Sequence, residues 1–387
     1  MVCTNTGELI TKKEGGRSSS SFEIVDAHHH FLDTNENSFQ SFLARFVPHT
    51  AYLPDDYHRD VIQPLWQEKR IKIVGSVHVE CMPDDGVSEV AWVESITDSQ
   101  APEAQLPTRD KPVALNFSEN TVSIPNGPVV QAIVASVDLT QSDVQQTLHQ
   151  LKQASPKVRG VRWILDCVGP YQPKTATHVA TLRHDGEDYL DHDGNSKGKA
   201  FAFERGFAQL ATHGMSFDLQ CAPTQLPAAA ALCARHPNVP VCVDHLGKPR
   251  ALLGLDNCKI MSENSSTPDA DELQRWREGM HALASLPQVY VKLSMLGYAV
   301  PGWIQTPERV ALVKSLVREI VELFGPSRCM FAFNWWKDGP TSDADGMSTV
   351  GPNPVELVEY MSEWLSDYSE AERKDIFSGT ARRFYRF

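Results

Sequence analysis

The stretch Ile24-Val25-Asp26-Ala27-His28-His29-His30 is a short apolar run that ends in a polar cluster. It predicts a buried β-strand that delivers polar groups to a site. Side chains alternate along a strand, so His28 and His30 should point one way and His29 the other. Two imidazoles aimed at one point suit metal binding or acid–base chemistry. A solvated loop or a tag remnant is the alternative, which the apolar strand before only three histidines disfavours.

Seven further apolar runs follow, with amphipathic helical stretches between them. Continuous rather than alternating apolar character is typical of parallel strands that are buried on both faces. Eight such strands separated by helices predict an α/β fold, a parallel (β/α)8 TIM barrel. An open doubly wound sheet is disfavoured because no GxGxxG motif follows the first strand. The runs are 23–26, 71–80, 131–138, 158–165, 216–220, 239–245, 289–294 and 329–334, and the helices are 141–153, 201–213, 225–236, 272–285 and 307–324.

Composition excludes several classes of function. The chain has 387 residues and a formal net charge of −13, which argues against nucleic acid or an anionic membrane as a main partner. No apolar run is long enough to span a bilayer. Eight scattered cysteines without a CxxC motif indicate free thiols in a reducing, cytoplasmic compartment. Residues 1–21 are expected to be a disordered or peripheral segment, and 22–387 a single barrel domain.

Each predicted strand carries, at or near its carboxyl end, a group able to do chemistry. In a barrel these ends meet at one face, where active sites lie. A buried polar side chain is costly unless it is paired, so a ring of them indicates an enzyme pocket. Taken singly, each has a structural alternative, such as an ion pair or a buried imidazole. The groups are Asp26, His28, His30, His78, Glu80, Asp138, Arg159, Arg162, Asp218, Gln220, Asp244, His245, Lys292, Ser294 and Asn334.

Irregular segments at 168–199, 249–268 and 335–352 follow the fourth, sixth and eighth strands. Long loops at this face of a barrel usually form lids or substrate pockets, although plain surface decoration is the alternative. Arg183 and His184 within the first of them are candidates to meet an acidic substrate, and solvated loop residues otherwise.

Several motifs resemble those of the amidohydrolase-related family, which includes L-fuconolactonase and 2-pyrone-4,6-dicarboxylate hydrolase. They are D-A-H-H-H at 26–30, V-H-V-E at 77–80, D-H-L-G-K-P at 244–249, V-K-L-S at 291–294, and the segments 324–331 and 377–385. The resemblance implies a distorted (β/α)8 barrel of the amidohydrolase type, in agreement with the strand count. It also implies an enzyme in which water attacks a lactone or related carbonyl, with a small lactone or carboxylated ring as substrate.

The resemblance also assigns roles to residues. His28 and His30 would line the pocket floor, and would either hold one divalent ion, zinc or manganese, or polarise the carbonyl without a metal. His245 would bind or polarise the substrate carbonyl. A binuclear metal centre is disfavoured, because His245 is the only histidine at a late strand end. The residues expected to bind substrate are Arg162, His78, Glu80, Lys292 and Trp335.

Position 334 departs from the family pattern, in which an aspartate at the end of the eighth strand activates the water. Here the chain reads Phe333-Asn334-Trp335-Trp336, and an amide cannot accept a proton as a carboxylate does. The chain is then an inactivated variant, a natural member in which Asn334 donates a hydrogen bond in another reaction, or a non-catalytic binder. Lactone hydrolysis is the main hypothesis; a lyase or decarboxylase on the same barrel and a ligand-binding pseudoenzyme are the alternatives. The sequence leaves the substrate, and whether the protein forms a homo-oligomer, undetermined.

Overall fold

Eight parallel strands form the centre of the molecule. The computed structural model describes residues 22–97, 130–167, 183, 187–191, 198–249, 252–253, 267–300, 302–334 and 351–387. All strands except the small antiparallel pair β2 and β3 lie in one sheet, in chain order, each parallel to the next. The predicted barrel is thereby confirmed. The strands are β1 Glu23–His29, β2 Leu32–Asp33, β3 Ala51–Tyr52, β4 Lys72–Val79, β5 Val130–Ser136, β6 Val158–Arg162, β7 Ser216–Leu219, β8 Val241–Val243, β9 Val289–Leu293 and β10 Cys329–Phe331.

The chain directly after β10 joins the two edges of the sheet. The backbone N–H of Asn334 donates to the carbonyl of His28 at 2.8 Å. Asp26 Oδ1 accepts the backbone N–H groups of Phe333 and His28 at 2.9 and 3.1 Å, and its Oδ2 accepts the Tyr57 hydroxyl at 2.7 Å. Asp26 is therefore a structural tie across the seam, although its place at a strand end resembles that of a catalytic group.

Helices cover the outside of the sheet. Side-chain caps set several helix starts: Asp269 accepts the N–H of Glu272 at 2.9 Å, and Asn353 that of Glu356 at 3.0 Å. The helices at 141–153 to 307–324 predicted from the sequence correspond to α5 to α9. The helices are α1 Ser41–Ala44, α2 Pro54–Tyr57, α3 Gln63–Lys69, α4 Gly86–Thr97, α5 Val144–Ala154, α6 Lys199–His213, α7 Leu226–Arg235, α8 Ala270–Ala284, α9 Pro307–Phe324, α10 Pro354–Trp364, α11 Glu370–Lys374 and α12 Thr380–Tyr385.

Two apolar clusters separate the faces of the sheet. The larger cluster lies between the outer face and the helices. The smaller cluster joins side chains of β1, β4, β5, β8 and β10 with Phe384 and Tyr385, and so fills the barrel interior at the end closed by α12. Val77 and Val79 belong to this inner cluster, which fixes the inward face of β4. In the part of the chain that the structure describes, no helix is long and apolar enough to cross a membrane.

A bulge in β1 turns its last residues towards the interior. Asp26 pairs with Ser76 and His29 with His78, so three steps on β1 match two on β4. The extra residue lets Ala27 pack in the inner cluster while His28 also faces inward. His29 points outward to Ser76 at 3.1 Å. The predicted opposition of His28 and His30 to His29 is thus observed.

Candidate active site

His28, His30 and Asn334 meet where β1 and the chain after β10 converge. The Nε2 atoms of His28 and His30 lie 3.2 Å apart, and Asn334 Oδ1 is 3.2 Å from His30 Nε2. Asn334 Nδ2 also contacts Met295 Sδ at 3.0 Å. All three predicted residues are buried, at 0, 8 and 6% exposure. The structure thus brings together three of the four predicted catalytic groups in one contact.

Hydrogen-bond partners fix the proton positions on the two rings. His30 Nδ1 lies 2.8 Å from the Val79 carbonyl, which only accepts, so this nitrogen carries the proton and Nε2 has the lone pair. Lys292 Nζ, which only donates, lies 3.1 Å from His28 Nδ1. His28 therefore carries its proton on Nε2 and donates it to His30. Asn334 Oδ1 lies 3.2 Å from His30 Nε2, which has no proton to donate. Asn334 therefore donates a hydrogen bond to His30 when its amide oxygen and nitrogen are exchanged, so that Nδ2 faces the ring.

Arg162 holds the side of the site next to β4 and β8. Its Nε and Nη2 donate to Glu80 Oε1 and the Glu80 carbonyl, both at 2.7 Å, and Nη1 donates to Asp244 Oδ2 at 3.2 Å. Burial disfavours the charge, but the carboxylates outweigh it and raise the pKa of Arg162. Burial alone would raise the pKa of Glu80, but Arg162 and Arg183 lower it. Glu80 and Arg162 therefore form a buried, charged wall along one side of the site, and their hydrogen bonds hold it in place.

Lys292 lies beneath His28 and is fully buried. Its Nζ is 2.5 Å from Asp218 Oδ2 and 3.0 Å from Asp244 Oδ1. Burial opposes the ammonium, but these two carboxylates raise the pKa of Lys292 above its ordinary value. Asp218 also accepts the Tyr385 hydroxyl at 2.8 Å. Lys292 thus contacts protein groups on the side away from the mouth.

His245 closes the third side of the site. Its Nδ1 lies 2.9 Å from Ser294 Oγ, and its ring centre is 4.9 Å from that of His28. The turn after β8 places His245, Leu246 and Lys248 in left-handed backbone with φ of 54, 56 and 50°. Gly247 follows at φ 70°, where a Cβ would lie 2.5 Å from Met280 Sδ. With Met295 and Asn334 at 49 and 53°, strained backbone clusters at this mouth, as it often does at functional sites.

The imidazoles of the site are held neutral. Burial, then the Arg162 charge, lowers the pKa of His30 to about 4. Burial, then Lys292, lowers the pKa of His28. Burial also lowers the pKa of His245, against the raising effect of Asp244. Neutral rings can donate, accept or bind a metal near neutral pH.

The donor set does not fit a divalent ion held by His28 and His30. The ligand atoms of His28, Asp244 and His245 lie within 4.8 Å of one another, which is close enough for them to share one ion. However, His28 Nε2 carries the proton in the tautomer that Lys292 imposes, and in the other tautomer its lone pair faces Arg162 Nη1 at 3.4 Å. Lys292 and Arg162 already pair both oxygens of Asp244. An added dication would therefore face two buried cations.

One of the residues predicted to bind substrate lies away from the site, and another is not among the described residues. His78 is on the outer face of β4, where it stacks on Phe31 with ring centres 5.7 Å apart and meets His29 edge-on. Val77 and Val79 point into the barrel, whereas the His78 side chain points to the outer face, so the structure does not bring His78 to the site. Trp335 lies outside the described residues. Glu80, Arg162 and Lys292 do join the network, as ion-paired groups.

The network also contains residues for which the sequence indicated no specific role. Asp218 and Asp244 are among the polar strand ends expected at the pocket, but their ion pairs were not predicted. Tyr385 lies in segment 377–385, which carries part of the family resemblance, but no property of the segment indicated a contact with Asp218. Lys248 and Asp166 form a further buried pair at 2.8 Å beside Tyr298, which neighbours His245.

A cavity of about 460 Å³ opens beside the Glu80–Arg162 wall. Arg183 lies over the Trp163 ring at 4.0 Å and is 4.0 Å from Glu80 Oε2. Burial lowers the pKa of Arg183, and its carboxylate neighbours only partly offset this. The remaining lining includes Phe42, Pro83, Ser136, Asp138 and Gln141.

The chain belongs to the amidohydrolase family, whose profile matches residues 128–387. It is 32% identical over 216 residues to an L-fucono-1,5-lactonase of Burkholderia multivorans; the aligned region covers 54% of this chain and 63% of that protein. The resemblance inferred from the sequence motifs is confirmed.

Solved structures support the fold. An amidohydrolase from Burkholderia multivorans with bound zinc is similar at a TM-score of 0.60 and 23% identity, over 94% of this chain and 99% of that one. A putative 2-pyrone-4,6-dicarboxylic acid hydrolase from Pseudomonas putida is similar at a TM-score of 0.55 and 14% identity, over 94 and 97% of the two chains. Both likenesses confirm the distorted barrel of the amidohydrolase type.

Proposed function

We propose that the protein is a hydrolase that opens a lactone or related cyclic ester by attack of water. The observation that carries the proposal is the convergence of His28, His30, His245 and Asn334 beside Arg162 at the carboxyl ends of the barrel strands. The L-fucono-1,5-lactonase relative supports the choice of a cyclic ester. A neutral imidazole N–H and a guanidinium are suitable donors to a carbonyl oxygen that becomes negative in the transition state.

In this proposal the substrate carbonyl enters between His28 and His245. His28 Nε2–H leaves its contact with His30 and donates to the carbonyl oxygen, with Arg162 beside it. Water attacks the carbonyl carbon and gives one proton to the base at position 334 in its aspartate form. When the tetrahedral intermediate collapses, the bond between the carbonyl carbon and the ring oxygen breaks, and the same proton passes to the ring oxygen, which leaves as an alcohol. No step in this proposal uses a metal.

Position 334 is the proposed site of the general base. As an aspartate it would take the proton of the attacking water, which Asn334 cannot do. Loss of a general base typically costs on the order of 10²–10⁴ in rate. We therefore expect Asn334→Asp to raise kcat by that factor on at least one substrate of a panel of sugar 1,5-lactones and carboxylated pyrones, with acid release as the measurement. If the variant hydrolyses no lactone faster than the parent chain, position 334 is not the site of the base.

Arg183 is the proposed contact for a polar or acidic substituent of the substrate. Arg162 and Lys292 are each closely paired with two carboxylates. Arg183 lines the cavity and donates to the Pro83 carbonyl at 2.6 Å, and its carboxylate contact among the described residues is Glu80 Oε2 at 4.0 Å. A cation with so long a carboxylate contact gains more from a substrate anion than one that is already closely ion-paired.

Ligand binding without turnover is the second candidate, favoured by Asn334 itself. Its amide already contacts His30 and Met295, an arrangement that needs no carboxylate. Calorimetry with the same lactones would show tight binding with no product in the parent chain and in Asn334→Asp. A decarboxylase on this barrel remains an alternative prediction, which release of carbon dioxide would reveal.

A further inference from the structure

We infer that Lys292 is a positioning residue: its ammonium fixes His28 in the tautomer that carries the proton on Nε2, and its ion pairs with Asp218 and Asp244 hold that ammonium in place. This role differs from the substrate contact predicted for Lys292 from the sequence. The assignment of the tautomer stands on geometry, while its consequence for the rate rests on the proposed function.

The contacts of Lys292 leave His28 one arrangement. A neutral imidazole has one N–H and one lone pair, and an ammonium can only donate. With Nζ 3.1 Å from Nδ1, His28 must accept there, and its proton must be on Nε2. That proton has an acceptor ready, because His30 Nδ1 donates to Val79 and leaves His30 Nε2 unprotonated.

Arg162 and Asp244 are the groups that favour the opposite tautomer. Arg162 Nη1, which can only donate, lies 3.4 Å from His28 Nε2, and Asp244 Oδ1 lies 3.7 Å from His28 Nδ1. Both contacts are longer than the 3.1 Å contact of Lys292 with Nδ1. Lys292 also lies 3.0 Å from Asp244 Oδ1. The ammonium therefore acts twice: it occupies the lone pair of Nδ1 and neutralises the carboxylate that would otherwise attract a proton to that nitrogen.

On the side away from His28, Lys292 is linked through Asp218 to Tyr385 of α12. Asp218 Oδ2 accepts from Lys292 Nζ at 2.5 Å and from the Tyr385 hydroxyl at 2.8 Å. All three side chains are fully buried. The buried ion pair with Asp218 therefore keeps the ammonium beside His28, and the Tyr385 hydroxyl donates to the same carboxylate oxygen.

In the proposed reaction, the tautomer of His28 decides whether this residue can donate a hydrogen bond to the substrate carbonyl. With the proton on Nε2, His28 presents a donor where the carbonyl oxygen would become negative. With the proton on Nδ1, it would present a lone pair and repel the oxyanion. Removal of one such donor typically costs about 10²–10³ in kcat.

The test is a direct observation of the His28 tautomer by long-range ¹H–¹⁵N NMR on the full chain with ¹⁵N-labelled histidine. His28→Gln assigns the signal. The key variant is Lys292→Met/Asp218→Asn, which removes the cation together with one carboxylate and leaves the net charge unchanged; Lys292→Met alone would leave buried charge unpaired. We expect Nε2–H in the parent chain and Nδ1–H, donated to Asp244, in the double variant.

Tyr385→Phe is the matched control, because it removes a donor to Asp218 but keeps Lys292. We expect it to retain Nε2–H. A parent chain with Nδ1–H, or a double variant that keeps Nε2–H, would overturn the inference. The spectra need no turnover, so a failure of the inference is separate from a failure of the proposed function.

A kinetic measurement separates positioning from substrate binding. In the Asn334→Asp background, the double variant should lower kcat by about 10²–10³ with little change in KM. A raised KM with kcat unchanged would instead restore Lys292 as a substrate contact and overturn the positioning role.

Discussion

Arg162 and Lys292 are two buried cations that share one carboxylate, Asp244, yet they do different work. Arg162 spreads its planar guanidinium over Glu80 and Asp244 and leaves one edge towards the site. Lys292 concentrates its charge on one atom, between Asp218, Asp244 and one ring nitrogen of His28. A planar guanidinium can bind two carboxylates at once and so hold one side of the site rigid. A compact ammonium can direct its charge at a single ring nitrogen. Residues of equal charge on different strands of one barrel are therefore not equivalent parts of a site.

The largest effect on stability is expected when the Arg162 guanidinium is removed. Arg162→Met leaves Glu80 and Asp244 buried without their shared guanidinium, and such a break typically costs about 3–5 kcal/mol. Urea unfolding measures it. Arg162→Met/Glu80→Gln has one uncompensated carboxylate fewer and should recover part of the loss. A single variant as stable as the parent chain would show that the wall is not held by this pairing.

Glu89 also lies near the Glu80–Arg162 pair, but no cation among the described residues is within salt-bridge distance of it, so its pKa should shift in the opposite direction from that of Glu80. Glu89 accepts the Cys81 N–H at 2.8 Å, and burial, then Glu80, raises its pKa to about 8. The folded state keeps this proton up to about pH 8, while the unfolded chain loses it near pH 4.5. Its contribution to stability is therefore full below about pH 4.5 and is lost as the pH rises to 8.

Glu89→Gln tests this opposite behaviour. The variant should remove a fall in unfolding free energy on the order of 3 kcal/mol between pH 5 and 8. Unfolding curves at several pH values, compared with those of the parent chain, measure the difference. Parallel pH profiles for the two proteins would mean that Glu89 is ionised in the fold.

The third cation, Arg183, should show its effect in binding. Arg183→Gln is expected to raise KM for an acidic lactone on the order of tenfold in the Asn334→Asp background, with kcat little changed. Arg159→Gln is the matched control, because Arg159 lies near the start of β6 and does not line the cavity, so KM should stay unchanged. An equal KM in both variants would remove Arg183 from the binding site.

The smallest expected effect is that of metal removal. Because two cations occupy the surroundings of His28, exhaustive dialysis against EDTA should leave the activity of Asn334→Asp unchanged, and added zinc should not increase it. A loss of activity that added zinc restores would show that a metal ion binds beside His28 despite Lys292 and Arg162. It would contradict the conclusion that these residues do not fit a divalent ion.

The sequence predicts the barrel well, because each parallel strand is a continuous apolar run with a polar end. It also predicts the shared direction of His28 and His30. It fails at His78, since a strand buried on both faces carries no polar alternation to mark which face is inward. Glu80 has the same parity as His78 but lies beyond the end of β4, where the chain turns and the carboxylate reaches Arg162. The pairing of Lys292 with Asp218 and Tyr385 is equally invisible, because it joins elements far apart in the chain.

The closure of the barrel by Asn334 has a consequence for the order of folding. His30 and Asn334 are 304 residues apart in the chain, and Lys292 and His28 are 264 apart. Contacts of such long range form slowly, because a large loop must close before they contribute. A barrel that is assembled up to β9 would have most of its helices packed and yet no seam and no Asn334 contact. The proton position on His28 can therefore serve as a reporter of late folding events, since it is defined only once β9 lies beside its place in the finished interior.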